Sequence, residues 1–144
     1  MTPTSATRRD EILQSLNGLF AEEVEAAIRY LYLAATVKGI DRAVLRKTLM
    51  EGIDETLEHA QTIAEKIIQL GGKPKLKVRA ELEDGLVSGR DAIRTALAFE
   101  QAALDAYREL LDKVEDDVAL EEFVRAQIAT ESEHVSQLYM LLDE

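Results

Sequence analysis

Helix-breaking residues are scarce in this chain and stand at few points. The two prolines are Pro3 and Pro74, and the seven glycines gather mostly at the apparent ends of helical stretches. Glycine or proline inside a helix costs about 1–3 kcal/mol relative to alanine. Long stretches without them, with little β-branched alternation, therefore read as helices. Four follow. Helix one runs from about Thr7 to Lys38 and stops at Gly39. Helix two takes Asp41 as its N-cap and runs to Leu70, before Gly71, Gly72 and Pro74. Helix three starts at Ser88, with Ser88 and Asp91 as a capping pair, and ends near Val114. Helix four starts around Asp116 or Asp117 and continues nearly to Glu144. The fold class is all-α, with residues 1–144 as one domain large enough for a core of its own.

The connections are unequal. Two or three residues join helices one and two, and the same holds for three and four, so each pair should be antiparallel neighbours. Between the pairs lie 17 residues, Gly71 to Val87. A helix of ~28 residues is about 42 Å long, and an extended linker of ~17 residues reaches about 55–60 Å. That is enough to run back along the bundle, so the expected architecture is a four-helix bundle with one long crossover. A helical turn is expected within the crossover, from Glu81 to Leu86.

The helix seams are apolar except at a few positions. Helix one gives Leu16, Phe20, Glu23, Ala27, Tyr30 and Ala34. Helix two gives Leu45, Leu49, Gly52, Thr56, His59, Ile63 and, slightly off line, Ile67. Helix three gives Ile93, Leu97, Glu100, Leu104, Tyr107, Leu111 and Val114. Helix four gives Leu120, Val124, Gln127, Glu131, His134, Leu138 and Leu141. Helices one and three share a glutamate followed seven residues later by a tyrosine, Glu23 with Tyr30 and Glu100 with Tyr107. Helices two and four carry the only histidines, His59 and His134. The halves look like a diverged duplication, helix pair after helix pair.

Taken singly, each of these residues has an ordinary explanation. A lone core histidine is usually just hydrogen-bonded, and a seam tyrosine usually packs. Taken together, they bring carboxylates and imidazoles from four helices to one layer. A buried carboxylate is costly unless paired or bound to a cation, and a pair of metal ions supplies the missing charge. Oxygen and nitrogen donors without sulfur suit iron or manganese, with zinc and cobalt as further occupants. Tyr30 and Tyr107 are placed to hydrogen-bond the ligating carboxylates.

Composition narrows the function classes. Cysteine is absent, which removes disulfides, thiolate zinc sites and iron–sulfur ligation. The net charge of −11 argues against nucleic acid, whose phosphates demand a basic face. The one basic stretch, Lys73, Lys75, Lys77 and Arg79, reads as a solvated loop docked on acidic helices. No apolar run approaches the ~18 residues of a membrane span. No cleavable leader is recognisable, and a cytoplasmic location is expected.

The same residues resemble the ferritin-like di-iron carboxylate superfamily, bacterioferritin most closely. Glu23-Val-Glu-Ala-Ala-Ile-Arg-Tyr30 is similar to the first-helix signature, and Gly52-Ile-Asp-Glu-Thr-Leu-Glu-His59-Ala to the second. Leu97-Ala-Phe-Glu100 is similar to the third and Glu131-Ser-Glu-His134 to the fourth. The resemblance spans about residues 10–142. It implies two iron ions per chain, with Glu23 and Glu100 as terminal ligands, His59 and His134 binding one metal each, and Glu131 bridging. It also implies oxidation of Fe(II) by O2 or peroxide in iron storage or detoxification, and a homo-oligomer. A rubrerythrin-like peroxidase with a separate electron donor and a metal-free helical interaction protein are the alternatives.

Three departures qualify it. Thr56, not a carboxylate, stands three residues before His59, and Glu55 stands four before. Either Thr56 has replaced the ligand, or Glu55 takes the bridging role, with or without a one-residue π-bulge; Glu55 is expected to contribute as a metal ligand beside the other five. The second-helix methionine that binds haem in bacterioferritins is matched by Leu57 or Thr56, so haem is not expected. The fifth short helix of 24-subunit shells has no counterpart here. A twofold dimer or a twelve-subunit cage is easier to reconcile with these residues.

Overall fold

The structure is a computed structural model that describes residues 5–82 and 84–142. Four helices dominate: α1 (Ser5–Thr36), α2 (Arg42–Gln69), α3 (Gly89–Lys113) and α4 (Val118–Leu142). Their ends follow local chemistry. The last turn of α2 closes with Gly71 N–H bonded to Ile68 O and Gly72 N–H to Ile67 O, both 2.9 Å. This wrap needs a left-handed residue, and Gly71 supplies it at φ 82°. Ser88 Oγ accepts from Asp91 N–H at 3.1 Å to open α3. Asp117 Oδ1 accepts from Leu120 N–H at 3.0 Å to open α4. Asp41 holds the N-cap position of α2 but makes no side-chain capping bond.

Two expectations about the connections fail. Helix one ends at Thr36, not Lys38: Val37–Lys38 forms a short strand, β1, paired in parallel with Val87–Ser88, β2. Val37 is buried there, and the Arg42 guanidinium satisfies the Val37 and Ala35 carbonyls that the helix leaves open. The described residues between Glu81 and Leu86 form bends and extended chain, not a helical turn. The end of the crossover is thus tied to the end of α1 by backbone bonds, a long-range pairing that replaces local helix.

Helix directions follow from the contacts between their ends. Gly72, just beyond α2, lies against Leu13 near the start of α1, while Gly89 at the start of α3 lies against Leu45 near the start of α2. Helices α2 and α3 therefore run the same way, and the chain must return the length of the bundle between them. It does so along α1. Asn17 bonds Lys73 O and Lys75 N, and Glu25 Oε1 accepts from Arg79 N–H at 2.7 Å. The basic stretch docks on α1 through its backbone. Lys113 Nζ reaches Ser15 Oγ at 2.9 Å, so the end of α3 lies beside the start of α1. The result is an all-α four-helix bundle with short, long, short connections.

Apolar packing forms two clusters, one toward each end. Leu16, Ile63, Ile67, Leu110, Val114 and Val124 centre the first; Leu33, Val37, Leu49, Ala92, Ile93 and Leu138 the second. Leu142, rather than the expected Leu141, turns inward at the end of α4. A polar layer separates the clusters.

Candidate metal centre

Each helix sends polar groups into that middle layer, because the apolar seam that buries the helix carries them inward. Glu23, Glu100 and Glu131 are all buried, and Glu131 is only 1% exposed. The His59 and His134 rings stack at 5.9 Å between centroids and 16° between planes. Two groups of donors form around them. In the first, Glu23, His59 and Glu131 bring one ligand atom each to within 4.8 Å of one another; in the second, Glu100, Glu131 and His134 do the same. Glu131 belongs to both. His59 Nδ1 lies 3.1 Å from Glu131 Oε1 and 3.7 Å from Glu23 Oε2. His134 Nδ1 lies 3.7 Å from Glu100 Oε2.

The tyrosines stand behind the outer carboxylates. Tyr30 Oη donates to Glu100 Oε1 at 2.6 Å, and Tyr107 Oη donates to Glu23 Oε1 at 3.2 Å. Each tyrosine thus serves the glutamate of the other helix, which the sequence pairing of Glu23 with Tyr30 does not reveal. Burial and the adjacent carboxylates push both phenols above their ordinary range, so they remain hydrogen-bond donors.

Helix two settles one of the open alternatives. The helix is continuous α through residues 42–69, without a π-bulge. Thr56 occupies the buried seam position and donates its hydroxyl to Gly52 O at 2.6 Å. Glu55 is 53% exposed in its side chain and reaches the outer edge of the site, with Oε2 2.9 Å from His134 Nε2. It belongs to neither three-residue group. The centre is therefore lopsided: α4 contributes a glutamate between the histidines, and α2 contributes a threonine bonded to its own helix.

The electrostatics follow from crowding carboxylates out of water. Burial first, then neighbouring Glu100 and Glu23, pushes the Glu131 carboxyl up to about 9, against the lowering effect of His59. Burial would lower the His59 imidazole, but Glu131 and Glu23 outweigh it and push it up to about 10. His134 is raised chiefly by Glu100. Without a cation, the layer holds protons in its place. Glu131 Oε2 and His59 Nδ1 are buried with no well-aligned hydrogen-bond partner, so both are open to a cation that displaces their protons. Unpartnered carboxylate and imidazole atoms around one layer fit a pair of divalent ions.

Sequence reasoning passed over several neighbours. Phe99 meets the Tyr30 ring edge-on, with centroids 4.8 Å apart. Gly52 lies against that ring. A cleft of about 370 Å³ opens to Tyr30, Glu55 and His134, with Glu51 and Gln137 also lining it. Glu22, beside Glu23, has its carboxyl raised by burial and by Glu23, Glu25 and Glu109. A helix seam indicates which side chains point inward, not which outer residues border the opening.

The ferritin-like domain profile matches residues 13–144. The chain belongs to the ferritin-like family. A ferritin-like, diiron-carboxylate protein of Bacillus anthracis is 30% identical, with a TM-score of 0.85 over 94% of this chain and 97% of that one. The dodecameric thioferritin of Bacteroides fragilis, a bacterioferritin-related protein, is 25% identical, with a TM-score of 0.85 over 94% and 86%. The Desulfovibrio desulfuricans bacterioferritin, described with a diiron site in different catalytic states, shares the fold at a TM-score of 0.87 and 19% identity over 99% and 84%. A comparison with functionally curated proteins finds no match. This ferritin-like chain has no helix long and apolar enough to cross a membrane among its described residues.

Proposed function

We propose that this ferritin-like chain is a ferroxidase that takes up pairs of Fe(II) and supports their oxidation by O2 or peroxide, in iron storage or detoxification. The observation that carries the reading is the buried Glu131 carboxylate, shared by two groups of donors around stacked histidines. In this proposal Glu23, His59 and Glu131 hold one ion, and Glu100, Glu131 and His134 the other. Manganese or zinc fits the same donors. Each Fe(II) gives up one electron to the oxidant and leaves as Fe(III).

The chain's own groups have distinct tasks. Glu131 releases its proton when the ions bind and then places one negative charge between them. Tyr30 and Tyr107 donate to one oxygen of Glu100 and Glu23 and leave the other oxygen for the ion. Thr56, tied to Gly52 O, has no charge to offer, so beside His59 the only carboxylate that α2 brings to the site is Glu55. Glu55 is half in solvent beside His134, which suits a ligand that meets incoming iron at the cleft and follows it inward. The apolar clusters above and below keep water away from the pair.

The dodecameric Bacteroides fragilis relative supports a homo-oligomer for this chain. The deciding experiment adds Fe(II) aerobically to metal-free protein and follows Fe(III) at 300–350 nm. Fast oxidation of about two Fe(II) per chain, absent from Glu131→Ala, supports the proposal; a rate equal to buffer refutes it. Oxidation that requires peroxide together with a separate electron donor, without iron accumulation, would identify a peroxidase instead. Metal analysis showing no bound ion at any loading would leave a helical interaction protein.

A further inference from the structure

We infer that Gly52 is a positioning residue: its missing side chain in the middle of α2 admits the Tyr30 ring, and the ring then holds Glu100 turned toward His134. The inference rests on the metal reading above.

A glycine inside a helix is destabilising relative to alanine, so its presence here calls for a reason. A Cβ at Gly52 would stand 2.7 Å from Tyr30 Cε1 and 2.8 Å from Cδ1 and Cζ. Carbon atoms cannot approach that closely, so an added methyl group must displace the ring. The ring has little freedom to move. It is buried, and Phe99 packs against it edge-on. Its hydroxyl donates to Glu100 Oε1 at 2.6 Å, while Glu100 Oε2 faces His134 Nδ1 at 3.7 Å. Moving the ring lengthens the bond that keeps the two Glu100 oxygens in these separate tasks.

The other half of the bundle lacks this device. Gln127 stands seven residues before His134, as Gly52 stands seven before His59. There the tyrosine–glutamate bond, Tyr107 to Glu23, is longer at 3.2 Å. The glycine thus serves one of the two donor groups, the one containing Glu100.

The test uses G52A, Y30A, Y30F and the double variant G52A/Y30A, with Co(II) as the probe. In metal-free protein carrying ¹³C-tyrosine, NMR resonances assigned to Tyr30 should move in G52A. A Co(II) titration of G52A, followed by visible absorption, should weaken one of two positions by roughly 10–100-fold, the usual scale for loss of a supporting hydrogen bond. Y30F should lose the same position, since the ring stays and only the donor goes. In the Y30A background, G52A should cause no further loss, because no ring remains to meet. Unmoved Tyr30 resonances, or an equal effect of G52A with and without the ring, overturns the inference. Should G52A fail to fold, the double variant decides: recovery of helical signal and melting supports the inference, and continued unfolding overturns it. If wild-type protein binds no Co(II), the metal reading falls. The Tyr30 resonances in metal-free G52A then still decide whether Gly52 places the ring.

Discussion

Replacing Glu131 by Gln separates the fold from the metal site. Gln keeps the shape of the side chain and cannot ionise. Within the folded, metal-free protein the change in charge is small, because burial already holds the Glu131 carboxyl up to about 9 and so protonated at pH 7. The sign is definite. A folded value above the ordinary 4.5 means stability that is fully present below pH 4.5 and is lost as pH rises toward 9. Gln never undergoes that loss, so metal-free E131Q should melt no lower than wild type at pH 7, and relatively higher at pH 8.5. With metal the outcome reverses. An ion at a hundred times its dissociation constant stabilises by about 2.7 kcal/mol, and two ions by about 5 kcal/mol. For a chain of this size each kcal/mol moves the melting point by about 2–4 °C, so Co(II) or Zn(II) should raise wild type by about 10–20 °C. Glu131 serves both donor groups, so E131Q weakens both ions. A hundredfold loss at each leaves RT ln 2, about 0.4 kcal/mol per ion, and a shift of about 2–3 °C. Glu100→Gln touches one group only and should keep about half the wild-type shift. Circular dichroism melts at matched free metal, with metal analysis after equilibrium dialysis, measure all three. If E131Q keeps two ions and the full shift, Glu131 is not the shared ligand and the reasoning fails.

Metal affinity should rise with pH from 6 to 9, because binding must displace protons from Glu131 and His59, held near 9 and 10; a Co(II) titration series checks this, and a flat profile contradicts it. Ile63→Ala removes a fully buried side chain from the first apolar cluster, with Leu16 and Ile67, and should cost about 2–5 kcal/mol in a denaturant melt. Ser88→Ala removes the acceptor for Asp91 N–H and should cost about 1 kcal/mol while leaving two-metal binding unchanged.

Much of the candidate site's geometry was legible because its carboxylates and imidazoles share the seam with the core. Glu23, Glu100 and Glu131 interrupt apolar stripes at helical spacing, and a stripe that packs must carry them inward. The histidines followed on the same argument. Glu55 was harder: it is off the seam, and only the position of α4 brings His134 within 2.9 Å of it. Gly52 stood in the seam and in the second-helix signature, but its reason showed only when the Tyr30 ring, on another helix, was seen against it. The crossing of the tyrosines, Tyr30 to Glu100 and Tyr107 to Glu23, depends on how α1 lies beside α3.

Local sequence determined the four helices, the ends of α2 and α3 and the inward direction of most seam residues, because turns, caps and periodicity involve residues a few positions apart. Tertiary structure decided where α1 ends, since Val37–Lys38 leaves the helix to pair with Val87–Ser88, fifty residues later. It also decided which carboxylate stands between the histidines and which remains at the rim. Those choices depend on distances between helices, and no single helix carries that information in its own spacing.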